Sequence, residues 1–372
     1  MKYIFILGRN IDLSIAELKA YFSKENNPIS IKKLVKNSAL VELKNPIETG
    51  VIEKLGGTIG IAEVLESENI TKNLEKHELY LGESNKLNYC IWDFTGNEEI
   101  NEIEDYLKQR FRKEKLKATR KRFPAVITLQ DETKVPNISS SLIEEEYVVF
   151  QEDKSTHFAR VIQKCNYEEI EYRDMNKPVR REELSISPRI SKILINLSEV
   201  KEGETLVDPF CGIGVILSEA LLQNINVIGI DRDAGAIKGA KENMNWFKFN
   251  KNFYTLKNND STKVEISKAE AIATEPDLGE ILKKIPTENQ ARETLKRFEK
   301  LMINTINNLK GNISGKIVFT SPYIRTIKKR VGCNIERIQK ETDYKLVDKF
   351  PIEEFKHNQV VGRQIFVLYP PK

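Results

Sequence analysis

Residues 204–233, ETLVDPFCGIGVILSEALLQNINVIGIDRD, read as strand, glycine turn, helix and strand, closed by an acid. Thr205 to Val207 are β-formers, Cys211-Gly212-Ile213-Gly214 demands a sharp turn, and Val215 to Leu222 carries apolar residues at helical spacing. Val227 to Ile230 has the length and β-branched content of a buried parallel strand and runs straight into Asp231.

A glycine turn feeding a helix brings backbone N–H groups up to a ligand with no Cβ in the way. Asp231, about 20 residues beyond the turn, is placed to accept hydrogen bonds from two ribose hydroxyls. The unit therefore predicts an adenosine-binding crevice. A dinucleotide fold wants a third glycine where this chain has Leu217. Asp208-Pro209-Phe210 ahead of the turn instead suits a ligand with a cationic amino-acid head and no phosphate, which describes S-adenosylmethionine. Nicotinamide binding and a ligand-free packing turn are the competing readings.

At 372 residues, 40% of them hydrophobic, the chain is long enough for two or three domains, each with its own core. Its 59 basic and 55 acidic residues leave a net charge of only +4, so any nucleic-acid surface has to be local. Cys90, Cys165, Cys211 and Cys333 are scattered without a Cys-x-x-Cys pair, and the histidines are only His77, His157 and His357. That pattern argues against a disulfide framework and a zinc site, and predicts a cytoplasmic protein with no bound metal. MKYIFILGRN lacks a signal-peptide apolar region and no apolar run approaches membrane-spanning length, so no membrane association is expected. A monomer is expected for this architecture.

Towards the N-terminus, Lys2 to Leu7 reads as a strand and Ser14-x-x-Glu17 as a capping box opening a helix through Tyr21. Ala39 to Leu43 reads as a strand, Pro46 to Leu55 as a helix and Ile59 to Leu65 as a strand. This βαβαβ run predicts an α+β ferredoxin-like module over residues 1–66. A second module, 67–166, shows a strand at Leu87 to Phe94, a helix from Asn97 to Arg112, and strands at Ala125 to Leu129, Tyr147 to Gln151 and His157 to Cys165. It holds a basic run of Lys108, Arg110, Arg112, Lys113, Lys115, Lys117, Arg120, Lys121 and Arg122, opposed locally only by Glu114. Such a run is either a solvated face or a phosphate-binding patch.

Asn166 to Arg181 reads as a polar connector in a linker over 167–186, and residues 187–372 fit one doubly wound domain. Its further strands are expected at Phe253 to Lys257, Ala271 to Thr274, Lys316 to Thr320 and Gln364 to Tyr369. Trp92 and Trp246 read as core or interface aromatics, Ser321-Pro322-Tyr323 as a β-turn in preference to a pocket lining, and His357 as a packing or capping residue in preference to a general base.

Arg173-Asp174, Pro178-Val179-Arg180, Ser187-Pro188 and Ile193 to Leu197 precede DPFCGIG, and HNQVVGRQIFVL lies near the end. Together they resemble the THUMP-containing tRNA guanosine N2-methyltransferases that modify position ten of archaeal and eukaryotic tRNA. The opening YIFILGRNIDLSIAELKAYF is similar to the start of that family. The resemblance implies an α/β protein whose C-terminal Rossmann-like class I methyltransferase domain is preceded by α+β ferredoxin-like and THUMP-like modules. It implies tRNA, or another structured RNA, as partner. It also implies that the turn Asp208, Pro209, Phe210, Gly212 and Gly214 holds the methionine end of S-adenosylmethionine, Asp231 the ribose and Asp260 the adenine amino group. Arg232 and Ser261 complete the cofactor set, although Asp260 suits a turn after a strand equally well. With RNA as partner, Arg110, Arg112, Lys113, Lys115, Arg120, Lys121 and Arg122 become a candidate RNA surface.

Amino methyltransferases of this kind carry an Asp-Pro-Pro-Tyr motif after the fourth strand. Its carboxylate and a proline carbonyl accept hydrogen bonds from the target amine while the aromatic ring stacks on the base. Here Thr274-Glu275-Pro276-Asp277-Leu278-Gly279 occupies that place, so Glu275, Pro276, Asp277 and Leu278 are the catalytic candidates. Glu275 is one methylene longer than the family acid, Asp277 replaces the second proline and Leu278 replaces the aromatic. Three readings stay open: an active N2-guanosine methyltransferase, a methyltransferase of the same fold on another RNA or base, and a catalytically silent cofactor-binding, RNA-binding relative. An adenine-specific DNA methyltransferase is an alternative for the catalytic domain alone, disfavoured by the RNA-associated N-terminal modules.

Overall fold

The computed structural model describes residues 1–96, 99–121, 125–128, 134–137, 143–181, 186–277, 284–356 and 359–371. The chain forms two compact units, one of residues 1–15, 25–53 and 57–165 and the other of residues 16–24, 54–56 and 166–372.

Up to Lys164 the elements are β1 (Lys2–Leu7), α1 (Ile11–Lys24), β2 (Ser30–Val35), β3 (Ser38–Glu42), α2 (Val51–Lys54), β4 (Thr58–Glu66) and α3 (Ile70–Asn73). They continue with β5 (Lys86–Phe94), α4 (Glu99–Lys113), β6 (Lys117–Arg120), β7 (Ala125–Thr128), β8 (Lys134–Asn137), β9 (Glu145–Glu152) and β10 (Ser155–Lys164). Eight of these strands form one sheet in the order β2-β3-β1-β4-β10-β9-β5-β6, and β7 pairs with β8 in a separate hairpin. The boundary read at residues 66/67 thus falls inside a continuous sheet, because β4 pairs antiparallel with β10, Ala62 facing Val161. Rings clamp α4 onto this sheet: Phe111 of α4 lies 5.2 Å from Tyr89 and 6.4 Å from Tyr147. Trp92 is a core residue whose Nε1 donates to Glu146 Oε2 at 3.0 Å.

Two local readings are corrected. Ser14 and Glu17 form no capping box. The helix opens a turn earlier at Ile11, where Asn10 Oδ1 accepts from the Leu13 N–H at 3.1 Å, and Ser14 Oγ donates to the carbonyls of Asn10 and Gly57, each at 2.8 Å. Glu17 is instead buried, accepting from the Gly56 N–H at 2.7 Å and from Asn196 Nδ2 at 2.9 Å. The helix expected from Pro46 shrinks to α2, because Gly50 turns the chain with φ 85° just before it.

From Asn166 onward the elements are α5 (Tyr167–Asn176), α6 (Pro188–Leu197), β11 (Thr205–Asp208), α7 (Val215–Leu221), β12 (Asn226–Asp231), α8 (Ala234–Trp246), β13 (Tyr254–Asn258) and β14 (Ala271–Thr274). They end with α9 (Glu288–Leu309), β15 (Ile317–Arg325), β16 (Arg330–Val331), α10 (Ile335–Thr342), β17 (Lys345–Leu346), β18 (Ile352–Glu354) and β19 (Val361–Tyr369). The sheet order is β13-β12-β11-β14-β15-β19-β17, with β16 on β15 and β18 on β19. β13 to β15 are parallel and β19 is antiparallel to β15. The chain enters at β11 in the middle and winds outward both ways, so the topological switch lies between β11 and β14. Ligands of such sheets bind outside the carboxyl ends at that switch.

The polar connector holds a helix, α5, capped by Asn166 Oδ1 accepting from the Glu169 N–H at 3.1 Å. Ser321-Pro322-Tyr323 is not a turn but part of β15, with Ser321 and Pro322 buried. Leu217 has its own packing logic: a Cβ on Gly229 would lie 2.4 Å from Leu217 Cδ1, so the close approach of α7 to β12 is made by a glycine on the strand. On the other side of the sheet, Phe298, Met302 and Ile306 of α9 join Ile272, Phe319 and Phe366 in the core, the last two stacked at 5.0 Å.

Candidate functional site

The parallel strands β11, β12, β13 and β14 end at the carboxyl edge on Asp208, Asp231, Asn258 and Thr274. Between β11 and α7 the chain turns through Gly212 at φ 51° and Gly214 at φ 84°. A Cβ on Gly214 would lie 2.8 Å from Met244 Cε, whereas one on Gly212 meets nothing within 4 Å. The turn is therefore packed on its helix side and open at Gly212. Asp231 borders that opening. Its Oδ2 accepts from the Gly212 N–H at 2.9 Å and its Oδ1 from the Asp233 N–H at 2.8 Å. Each oxygen keeps a lone pair, which is what two vicinal hydroxyls require.

Asp208 behaves differently from its neighbours. Only 1% of the residue is exposed, and its Oδ1 accepts from Thr274 Oγ1 at 2.6 Å and from the Phe210 N–H at 3.1 Å. The carboxylate ties β11 to β14 and offers almost no surface to a ligand. Burial, reinforced by the charges of Asp231 and Glu275, pushes this carboxyl up to about 7. A group raised from its ordinary 3.8 keeps its proton longer in the folded chain, so its contribution to stability is full below about pH 4 and is lost as pH rises to 7. Asp208→Asn is expected to flatten that loss. Its melting temperature should fall less between pH 5 and pH 8 than that of the unaltered protein; equal slopes would contradict the assignment. Burial, together with Asp208 and Asp231, raises the Cys211 thiol well above its ordinary range, which removes it as a nucleophile.

Pro209 and Ser261 are buried together, the Ser261 hydroxyl donating to the Pro209 carbonyl, and Asn308 Nδ2 donates to the Ser261 carbonyl at 3.1 Å. Phe210 is half-buried against the core. Asp260 is exposed. Its Oδ1 accepts from the Thr262 N–H at 2.9 Å and from Thr262 Oγ1 at 2.8 Å, and the first of these bonds does most to hold its carboxyl below the usual range. The charge of exposed Arg232 acts in the same direction, so Arg232 and Asp260 share one rim of the crevice.

The residues ahead of the glycine turn brace it. Asn243 Oδ1 accepts from the Val179 N–H at 3.0 Å, while its Nδ2 donates to the carbonyls of Val179 at 3.1 Å and Ile213 at 3.0 Å. Arg173 Nη2 reaches both oxygens of buried Glu219, at 3.3 and 3.4 Å, and Arg181 Nη2 donates to Asp233 Oδ2 at 2.7 Å. Asn243 was missed by sequence reasoning, since a helical asparagine 64 residues from its partner carries no local signal.

Past β14, Glu275 reaches across β15 to β19. Its Oε1 accepts from Arg363 Nε and from Thr320 Oγ1 at 3.2 Å, while Oε2 has, among the described residues, a long contact with Arg363 Nη2, at 3.4 Å. The extra methylene is what lets the side chain span to these partners. Pro276 is buried and Asp277 exposed. Leu278 lies outside the described residues, as do Arg122 and His357. Arg363 and Thr320 were not singled out from sequence, although Arg363 sits within HNQVVGRQIFVL.

The basic run is opposed by more than Glu114. Arg120 pairs with Glu104, Lys108 with Asp105 at 2.9 Å, and Arg110 with Glu114. Arg110 also donates to the carbonyls of Leu74 at 3.1 Å and His77 at 3.2 Å, so Arg110 and Arg120 hold α4 and β6 in place. Arg112, Lys113, Lys115, Lys117 and Lys121 are exposed, with no ion pair among the described residues. Among those residues no group of three His, Cys, Asp or Glu side chains is arranged to hold a metal, and no helix is long and apolar enough to cross a membrane.

Residues 172–329 match the UPF0020 family model, described as an RMKL-like methyltransferase domain. The chain is 30% identical over 139 residues to a tRNA (guanine(10)-N2)-dimethyltransferase of Methanothermobacter thermautotrophicus, a match covering 37% of this chain and 39% of that protein. It is 32% identical over 119 residues to the enzyme of the same name from Methanocaldococcus jannaschii, covering 29% of this chain and 34% of that one. The matched segments thus span little more than a third of these relatives. In fold, the chain resembles TrmN from Thermus thermophilus, with a TM-score of 0.51 at 12% identity and 100% of both chains covered. Residues 172–329, which hold the glycine turn, Asp231 and Glu275, are thus similar to the RMKL-like methyltransferase domains of the UPF0020 family.

Proposed function

We propose that this protein is an S-adenosylmethionine-dependent tRNA methyltransferase acting on the exocyclic N2 of a guanosine, with position ten, the site in its relatives' names, as the target. The observation that carries the reading is the convergence, at the carboxyl edge of one sheet, of the open turn at Gly212, the Asp231 carboxylate and the partly engaged Glu275.

The residues present fit the methyl donor: Asp231 for the ribose hydroxyls, Gly212 and its neighbours for the methionine end, and the rim at Arg232 and Asp260 for the adenine, with buried Ser261 bracing that rim through the Pro209 carbonyl. When bound, S-adenosylmethionine supplies an electrophilic sulfonium methyl group. The task left to the protein is to position a weakly nucleophilic amine whose lone pair is delocalised into its ring. Glu275 Oε2, the less engaged oxygen, accepts a hydrogen of that amine while Arg363 and Thr320 fix Oε1. The buried Pro276 stiffens the backbone beside it, and Asp277 stands exposed at the same edge as a second carboxylate. The grip of Arg363 on Glu275 also favours one rival, a catalytically silent relative in which the pair is only a cross-strand tie.

We assign RNA recognition in part to the exposed cations Arg112, Lys113, Lys115, Lys117 and Lys121. Replacing Lys113, Lys115 and Lys117 together by alanine is expected to weaken tRNA binding and to lower the slope of log K against log salt by roughly 2 to 3. An unchanged slope in filter-binding titrations would make the patch a solvated face only. We place its action in the cytoplasm, where thiols such as Cys90, Cys165, Cys211 and Cys333 stay reduced. The whole reading is tested by incubating the protein with methyl-labelled S-adenosylmethionine and unmodified total tRNA. Labelled tRNA is expected, and unlabelled RNA despite bound cofactor would overturn it.

A further inference from the structure

β15 outruns its parallel neighbour β14. Its last residue paired with β14 is Phe319, opposite Thr274, yet the strand continues against antiparallel β19 as far as Ile324, opposite Val361, and ends at Arg325, six residues beyond Phe319. At about 3.3 Å per residue this carries the chain roughly 20 Å past the carboxyl edge, the edge on which Asp208, Asp231 and Glu275 lie. There it folds back into β16, Arg325 facing Arg330. The tip is Thr326-Ile327-Lys328-Lys329, closed by the Thr326 N–H donating to the Lys329 carbonyl at 2.8 Å and Thr326 Oγ1 donating to the same carbonyl at 2.6 Å.

The base of the hairpin is locked by Arg330. Its guanidinium donates to the carbonyls of Tyr323 at 3.1 Å, Val360 at 3.4 Å and Gln359, and lies over the Phe355 ring at 4.2 Å. A rigid base holds up an apex of unusual chemistry. Ile327 is 84% exposed, more than any other large apolar side chain among the described residues. Lys328 and Lys329 beside it are exposed, and among the described residues Lys329 pairs with Glu288 at the long distance of 3.7 Å. A lone exposed isoleucine is ordinary on a protein surface. One raised on a braced, cationic hairpin beside an acid-rich crevice is not explained by folding, because neither Ile327 nor the two lysines bury anything there.

We propose that this tip is an RNA-contacting wedge, in which Lys328 and Lys329 meet phosphates flanking the target nucleotide and Ile327 packs against an unstacked base or sugar. The inference rests on the reading of the substrate as RNA. The exposed carboxylates of this edge, Asp260 and Asp277, repel a polyanion, so cations that reach past them are what a substrate phosphate backbone needs, and apolar wedges of this kind stabilise unstacked nucleotides.

The test uses the full chain with unmodified total tRNA, measuring affinity over a salt series and steady-state methyl transfer. Lys328→Ala with Lys329→Ala should weaken binding about fivefold to tenfold and lower the salt slope by roughly 1 to 2. Ile327→Ser should leave affinity within about twofold and lower kcat about tenfold, since it removes the wedge and not the charges. Both changes lie outside the backbone bonds that close the turn. If the unaltered protein methylates tRNA while both variants match it in affinity, slope and kcat, the hairpin proposal fails alone. If the unaltered protein binds no tRNA, the RNA reading fails with it. Loss of binding to anionic vesicles in the variants, with tRNA parameters unchanged, would reassign the tip to a lipid surface and overturn the proposal.

Discussion

Asp231→Ala is expected to abolish measurable binding of S-adenosylmethionine by calorimetry while the protein remains folded. The carboxylate stands at the end of β12 with both oxygens already accepting a backbone N–H, from Gly212 and from Asp233. It therefore does two things at once: it sets the glycine turn against the strand and presents two remaining lone pairs to a ribose. A hydrogen bond to a charged group contributes roughly 1.5 to 3 kcal/mol, so losing two hydroxyl contacts raises Kd by at least on the order of a hundredfold. Loss of the Gly212 tether adds to that by loosening the cradle. Asp231→Asn, which keeps one acceptor oxygen, should fall between the two. Unchanged affinity in the alanine variant would overturn the crevice assignment.

The second large effect is expected at Glu275. With an Oε1 fixed by Arg363 and Thr320, the side chain is held by β15 and β19 and leaves Oε2 for a substrate amine. Glu275→Ala should lower kcat about a hundredfold or more with cofactor affinity unchanged, and Glu275→Asp should do nearly as badly, since shortening withdraws the carboxylate by about an ångström. Arg363→Ala should lower kcat as well, and combining it with Glu275→Ala should cost little beyond the single change, because the two act as one unit. Added guanidinium should partly restore Arg363→Ala. A Glu275→Ala enzyme that turns over normally would make the pair a cross-strand tie and move the acceptor elsewhere.

How much of this was legible in the chain depends on the range of the interaction. β11, β12 and β14 were read within a residue at each end, because buried parallel strands are short apolar runs and the glycine turn between β11 and α7 is local. β2 was missed: SIKKLV alternates exposed and half-buried positions with two lysines, which hides a strand at the edge of its sheet. α5 was missed because none of its residues is buried, so it has no apolar stripe to read. Pro322 disguised the continuation of β15 as a turn. The pairing of β4 with β10, and the contact of Arg363 with Glu275 across 88 residues, are long-range facts that no local pattern encodes. The basic run was visible as charge, but the pairing of Arg120 with Glu104 and the bonds from Arg110 to the carbonyls of Leu74 and His77 required the fold.

The most direct measurement is nucleoside analysis of unmodified tRNA after incubation with methyl-labelled S-adenosylmethionine, comparing the unaltered protein with Glu275→Ala. The account predicts labelled N2-methylguanosine or N2,N2-dimethylguanosine that disappears in the variant. Label on a different nucleoside, or none while calorimetry shows the cofactor bound, would contradict it.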